Sequence, residues 1–256
     1  MNPPAGATSA LSAVEVADRV ADRIDALFAT VDDWRDGLQA YLEMDAAPTA
    51  ATLDPVVEAS AVPALAADGL ITGSGFVAAP GLLSDAQWHL AWWLGGMAGI
   101  RRLATIDDPS NEQFRDYTTL EWWRFPARTG ARHLTGPYVD YVCTDDYTVT
   151  ITTPVVVGAQ LLGVVGMDVL VDRLERELLP LLRASRLPIA IVNASGRIVT
   201  ATDSRREPGS MLRLDGLAEA LAPLREAEPP RMQTTLPGGA EVLACGDTSL
   251  ALVVGP

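Results

Sequence analysis

Between Tyr147 and Val169 the chain reads YTVTITTPVVVGAQLLGVVGMDV, and no other run restricts the fold as tightly. Thr148, Thr150 and Thr152 alternate with Val149 and Ile151, the period of a strand with one polar and one apolar face. Gly158, Ala159 and Gln160 break the alternation. Leu161–Val169 then returns as a second apolar strand, with small residues at Gly163 and Gly166, so the segment predicts a hairpin. Near its end Asp168 stands between Met167 and Val169. A carboxylate inside an apolar strand is costly unless a protein cation or a ligand pairs with it. The plain structural alternative is an acid satisfied by backbone amides or by Arg132. Upstream, the stretch from Trp122 reads as a loop that delivers polar and aromatic groups to this hairpin.

The segments around the hairpin can be placed by the same reasoning. Val16, Val20, Ile24, Leu27, Phe28, Val31, Trp34, Leu38 and Tyr41 recur at helical spacing, which predicts one long amphipathic helix over Ser12–Glu43. A helix this long is usually a docking or dimer element, or its stripe packs on its own domain. The Ala- and Pro-rich segment Ala46–Ala67 is expected to hold a short helix. Strands are predicted at Gly69–Ala79, with a twist or bulge at Gly73 and Gly75, at Gln87–Leu94, and at Arg101–Ile106. Ser110 with Gln113 reads as a capping box for a short helix reaching Thr119. After the hairpin, Leu174, Leu178, Leu179 and Leu182 mark a connecting helix over Asp172–Arg186. A smaller unit follows: strands at Pro188–Val192 and Arg197–Ala201 joined by the Asn193–Gly196 turn, a helix over Ser210–Glu226, and strands at Arg231–Leu236, Glu241–Ala244 and Ser249–Val254. This order is that of an α+β fold with PAS-like antiparallel sheets.

Composition removes whole classes of function. A formal charge of -14 argues against nucleic-acid binding and against an anionic membrane surface. The chain has no lysine, which excludes Schiff-base, pyridoxal and Walker-loop chemistry. Two cysteines, Cys143 and Cys245, and two histidines, His89 and His133, form no metal-ligand spacing, so neither a metal nor a cofactor is expected. The N-terminus lacks a basic region followed by an apolar core, and no run is long enough to span a bilayer. The expectation is a soluble, cytoplasmic protein.

PYVD (Pro137–Asp140), the threonine-rich strand Thr148–Pro154 and GVVGMDV (Gly163–Val169), in this order, resemble Cache sensor domains. The layout is similar to a double Cache architecture: leader and long helix in 1–45, a larger ligand-binding PAS-like module in 46–171, a connecting helix in 172–186 and a smaller PAS-like module in 187–256. The resemblance implies ligand sensing by the first module. In amino-acid-binding members the ligand ammonium is held by acids and tyrosines, and an aromatic pair closes over it. The matching positions here are Asp140 and Asp168, and Trp122 and Trp123, with Tyr138, Tyr117 and Glu121 as further candidates. Carboxylates and aromatic faces suit an ammonium through charge-assisted hydrogen bonds and cation–π contact. Since neighbouring residues of a strand or loop face opposite sides, one of the two tryptophans is expected to line the pocket.

One departure bears on the ligand. Members that bind α-amino acids carry an arginine two residues before the aromatic pair to grip the carboxylate; Leu120 stands there, beside Glu121. This favours an amine over an amino acid unless Arg115 or Arg124 substitutes. Trp88, Trp92 and Trp93 are assigned to packing, Asp145 and Asp146 to a solvated turn, and Asn193–Gly196 to a hairpin turn and nothing more. Enzyme readings, with Cys143 and His133 as a thiol pair or Asp140 and Asp168 as glycosidase carboxylates, lack any supporting group. No output domain is expected after the last strand. The sensor would therefore act through a homodimer formed by the N-terminal helix or through a separate transcription regulator or signalling protein; the alternative is a binding or scaffold protein without output.

Overall fold

A computed structural model describes residues 10–45, 47–67, 69–96, 99–141 and 146–255. The chain opens with α1 (Ala13–Met44), whose first turn is closed by a capping box: Ser12 accepts from the Glu15 amide while Glu15 accepts from the Ser12 amide. The helix agrees with the predicted span to one residue at each end. Its stripe of Val16, Val20, Ile24, Leu27, Phe28, Val31 and Leu38 is buried. These side chains pack against both sheets of the same chain, so the apolar stripe that suggested a dimer is used internally. α2 (Ala50–Ala67) is a full helix in spite of Pro55 and Pro63.

The first sheet is antiparallel, in the order β3-β2-β1-β6-β5-β4, built from β1 (Ile71–Ala78), β2 (Leu90–Gly96), β3 (Gly99–Arg102), β4 (His133–Val139), β5 (Tyr147–Val157) and β6 (Gln160–Leu170). The hairpin read from the sequence is the β5–β6 pair, with Thr150 opposite Asp168. The bulge expected in the first strand occurs between Ile71 and Gly73. Alternation sorts the two faces. Val149, Ile151, Val165, Met167 and Trp93 turn into the large core with α1. Leu90, Trp92, Val77 and Val164 turn the other way, beneath a cap made by a 3-10 turn at Tyr117–Thr119 and by α3 (Glu121–Thr129).

This cap corrects two expectations. The aromatic pair lies in a helix, since Glu121–Thr129 closes into regular turns ended by Gly130 in the left-handed conformation. Ser110 caps no helix; its amide and hydroxyl both bond to Asp108, and between Ser110 and Leu120 the only helical geometry is the 3-10 turn at Tyr117–Thr119. β3 is also shorter than predicted, stopping at Arg102.

α4 (Val171–Ala184) leads to a second antiparallel sheet, in the order β8-β7-β11-β10-β9, from β7 (Ile189–Asn193), β8 (Ile198–Ala201), β9 (Gln233–Thr235), β10 (Glu241–Ala244) and β11 (Leu250–Val254). The long helix expected over Ser210–Glu226 is absent. Ile198 and Gly196 instead draw the Ser210–Leu212 segment in as an irregular strand-like bridge, and α5 (Leu217–Leu221) plus one 3-10 turn are all the helix that forms. Ile191, Val199, Leu243 and Leu252 join the core around α1 and α4, so one apolar core runs through both modules.

β4 is the seam between them. Asn193 Nδ2 donates to the Gly136 carbonyl at 2.7 Å, and Ser249 Oγ to the Leu134 carbonyl at 3.1 Å. Arg132, just before β4, holds Asp25 of α1 at 2.6 Å and Asp247 of the second module at 3.3 Å, and its guanidinium lies 4.4 Å from the Phe28 ring centre. The Asn193–Gly196 turn is thus a docking element as well as a hairpin turn. Arg132 is committed to this clasp and is not the partner of Asp168.

Candidate functional site

Strand register brings the polar face of the first sheet into one cavity. Across three neighbouring strands Thr150 lies opposite Asp168, and Asp168 opposite Gly73. Gly73 is the residue that makes room: a Cβ there would lie 2.7 Å from Asp168 Oδ2 and 2.8 Å from Trp92 Nε1. The cavity is walled by Val77 and Leu90, by Trp92 and Trp122, and by Tyr138, Asp140, Thr150, Thr152 and Asp168. Its volume is about 10 Å³, room for about one water molecule, so a larger guest requires the cap to shift.

Both carboxylates are buried, Asp168 and Asp140 each 2% exposed. Asp168 Oδ1 accepts from Thr150 Oγ1 at 2.7 Å. Thr150 has a single hydroxyl hydrogen, so its other contact, 2.7 Å to the Tyr138 hydroxyl, must be one in which Tyr138 donates. A relay from Tyr138 through Thr150 therefore ends on Asp168. Asp168 Oδ2 and Trp92 Nε1 each lack a hydrogen-bond partner among the described residues. The indole N–H leans toward the carboxylate without reaching bonding geometry. No arginine or histidine pairs with Asp168 among the described residues. Burial first, and the neighbouring Asp140 charge second, push the Asp168 carboxyl up to about 7; Thr150 and Trp92 pull the other way. Such a site can take up a proton or a cation.

Of the residues singled out in the sequence, Asp140, Asp168, Tyr138 and Trp122 meet here. Trp122 is the member of the aromatic pair that faces the cavity, and Thr152 fixes α3 above the sheet by donating to the Trp122 carbonyl at 2.9 Å. On a helix, consecutive residues point about 100° apart, so Trp123 turns instead against Tyr117. Tyr117 supports the cap: its ring stacks on Trp122 and its hydroxyl donates to the Ala78 carbonyl at 2.7 Å. Glu121 points away from the cavity and accepts from His133 at 3.0 Å; that contact holds its carboxyl below the usual range. Trp92, assigned to packing from sequence, is a wall of the site, as are Thr150 and Thr152. The threonine alternation in phase with Asp168 was the available signal for the threonines. Nothing in the sequence separates Trp92 from Trp93, which packs in the core beneath Arg102.

Neither arginine considered as a carboxylate grip lines the cavity. Arg115 bonds the Glu112 and Phe114 carbonyls and lines a neighbouring groove of about 310 Å³ that shares only Leu90 with the acid cavity. Arg124 sits on the outer side of α3. His89 is engaged by Asp54 at 2.7 Å. Cys143 and Asp145 lie outside the described residues; Cys245 is buried, which pushes its thiol up to about 12.

Residues 102–176 match the family described as methyl-accepting chemotaxis protein-like, first PDC sensor domain. No curated protein matches the chain. Solved structures of the same fold include methyl-accepting chemotaxis protein X, with TM-score 0.62 and 17% identity over 94% of this chain and 93% of that one. The extracellular domain of mmHK1S-Z3, described as a histidine kinase, aligns with TM-score 0.62 and 14% identity over 94% and 89% of the two chains. The ligand-binding domain of the Pseudomonas fluorescens chemoreceptor CtaA, in complex with L-valine, aligns with TM-score 0.55 and 18% identity over 93% and 90%. The fold is that of double Cache sensor domains, as the sequence motifs suggested.

Proposed function

From a double Cache fold whose first module matches chemoreceptor-type PDC sensors, we propose that this chain senses a small ligand through its ammonium group, bound between Asp140, Asp168 and the Trp92–Trp122 walls. The observation that carries the proposal is Asp168: a buried carboxylate with a fixed donor on one oxygen, none on the other among the described residues, and no protein cation beside it there. An ammonium supplies both the missing donor and the missing charge. The chemoreceptor CtaA is described in complex with L-valine, an amino acid with the same ammonium. Among the described residues no arginine lines the cavity, which favours an amine over an amino acid as ligand. The small cavity volume further implies that binding moves Trp122 and the α3 cap.

The proposed output runs through β4, which leads directly into Asp140 and is held by Asn193, Ser249 and the Arg132 clasp, to the second module and then to a separate signalling protein or a second copy of the chain. The ligand is bound without being turned over. A cytoplasmic location, expected from the sequence, is a separate clause of the proposal, and fractionation of host cells tests it.

A thermal-shift screen at pH 8 with ethylamine, putrescine, alanine and valine tests the ligand class, because a ligand bound only by native protein raises the melting temperature. Amines are expected to raise it in the wild type and not in Asp168→Ala. If no amine or amino acid shifts the wild type, or the variant responds equally, the reading fails.

A further inference from the structure

A second cleft lies across the seam, on the outer side of α3, and its chemistry is the reverse of the acid cavity. Arg124 and Arg128 stand four residues apart on α3, hence on one face of the helix. The turn after α5 brings Arg225 to the opposite wall, where its Nε donates to the Ala194 carbonyl at 3.2 Å. Together with Phe125, Leu224 and the His133 ring these arginines line a cleft of about 500 Å³. The floor is ordered: Phe125 and His133 stack with centres 3.9 Å apart, and the Arg128 guanidinium lies 5.8 Å from the Phe125 ring centre.

The charge balance of the cleft is unusual for this protein. The chain as a whole carries -14. Among the described residues none of Arg124, Arg128 and Arg225 makes an ion pair within 4.0 Å, which is also true of others such as Arg115 and Arg197, but these three line one cleft. The one acid in the wall, Glu121, is bonded by His133 and lies close enough to Arg124 to feel its charge, so a single carboxylate faces three guanidinium groups. Two like charges on one helix face repel each other, and a third brought to them from the other module adds to that cost. An anion relieves all three. Guanidinium groups suit it because each offers parallel N–H donors to a planar carboxylate or a phosphate. Arg225 is already oriented by its carbonyl contact, which leaves its terminal amino groups for a guest.

We propose that this inter-module cleft is a binding site for a small multivalent anion, a di- or tricarboxylate or a phosphorylated metabolite, held by Arg124 and Arg128 from the first module and Arg225 from the second. The site is independent of the ammonium pocket: the two lie on opposite sides of α3 and share no lining residue. An anion there ties the second module to the helix that carries Trp122.

The test is isothermal titration of the full chain with citrate and with pyrophosphate, in buffer matched with sodium chloride for ionic strength and without any amine. Wild type is expected to bind at least one of them, with Arg124→Ser/Arg128→Ser and Arg225→Ser each weakening it tenfold or more. All three side chains are exposed, so the variants should fold, as a melting curve in chloride verifies. Arg124→Lys/Arg128→Lys, which keeps the charge and loses the fork, is expected to fall between. Citrate and pyrophosphate distinguish carboxylate from phosphate as the preferred group. Absence of wild-type heat beyond the chloride control, or equal affinity in the serine variants, overturns the proposal. Because the ligands contain no ammonium, neither outcome bears on the acid cavity.

Discussion

Replacing Asp168 with asparagine gives the sharpest test of how the acid cavity is built. The substitution keeps the volume and keeps an oxygen for Thr150 to donate to, but it removes the charge. In the folded protein this carboxyl titrates at about 7 against an ordinary 3.8. A gap of roughly three units corresponds to about 4 kcal/mol, taken as an upper limit. The folded value is the higher one, so the native state binds the proton more tightly than the unfolded chain does. Its contribution to stability is full below pH 4, declines by up to about 1.4 kcal/mol per unit as pH rises through the window, and is lost above pH 7. Asparagine does not titrate, and this part of the slope should vanish. At pH 8 the variant should be the more stable protein. Part of the gain is offset by an amide N–H turned toward the Trp92 N–H, at a cost of about 1–3 kcal/mol for a poorly matched donor.

The assay is urea unfolding of ligand-free wild type and Asp168→Asn at half-unit steps from pH 5 to pH 8. The wild-type midpoint should fall with pH more steeply than that of the variant, and the two curves should converge or cross toward acid. Since the Asp140 charge acts on Asp168, the difference in slope reports on the two carboxylates together. Parallel curves, or a variant that becomes relatively weaker as pH rises, would refute the claim that Asp168 is buried as an uncompensated charge.

Two further substitutions test particular contacts. Gly73→Ala places a methyl group 2.7 Å from Asp168 Oδ2, so the carboxylate must move; stability should fall by about 1–3 kcal/mol and amine affinity by tenfold or more, read by urea unfolding and titration of the same preparation. Ser12→Ala removes the N-cap of α1, which should cost about 1 kcal/mol, near 2 °C in melting temperature, without altering the response to amines.

What the sequence discloses here is what is periodic or local. The β5–β6 hairpin follows from threonine alternation and the break at Gly158–Gln160, and α1 from a stripe of apolar residues at helical spacing. Asp168 was legible because a carboxylate among apolar residues demands a reason, whereas Asp140 came only with the resemblance of PYVD to Cache domains. The length of the final helix was not. Leu212, Leu214, Leu217 and Leu221 mimic a helical stripe, yet Gly216, in the left-handed conformation, admits only the last short piece, and Ile198 claims the backbone of the segment before it. The loop assigned to Trp122 and Trp123 was also wrong, because two adjacent tryptophans followed by proline suggest an irregular segment, whereas Pro126 sits in a short helix held to the sheet by Thr152.

The residues missed at the site share one property: their role depends on what lies opposite. Gly73 looks like any glycine in a strand until register sets it against Asp168, and Trp92 differs from Trp93 only in facing the cavity. The same holds for Glu121. Adjacent to the aromatic pair, it seemed to belong with the acids, but one helical step turns it outward to His133 and the arginine cleft. That displacement has a chemical consequence. With Glu121 removed from the cavity, the acids that line it among the described residues are Asp140 and Asp168, one pair sharing one environment. Such a pair matches a single ammonium better than a diamine buried end to end. Putrescine should therefore leave its second amine in solvent, and extending the carbon chain of a monoamine should change affinity more than adding the second charge.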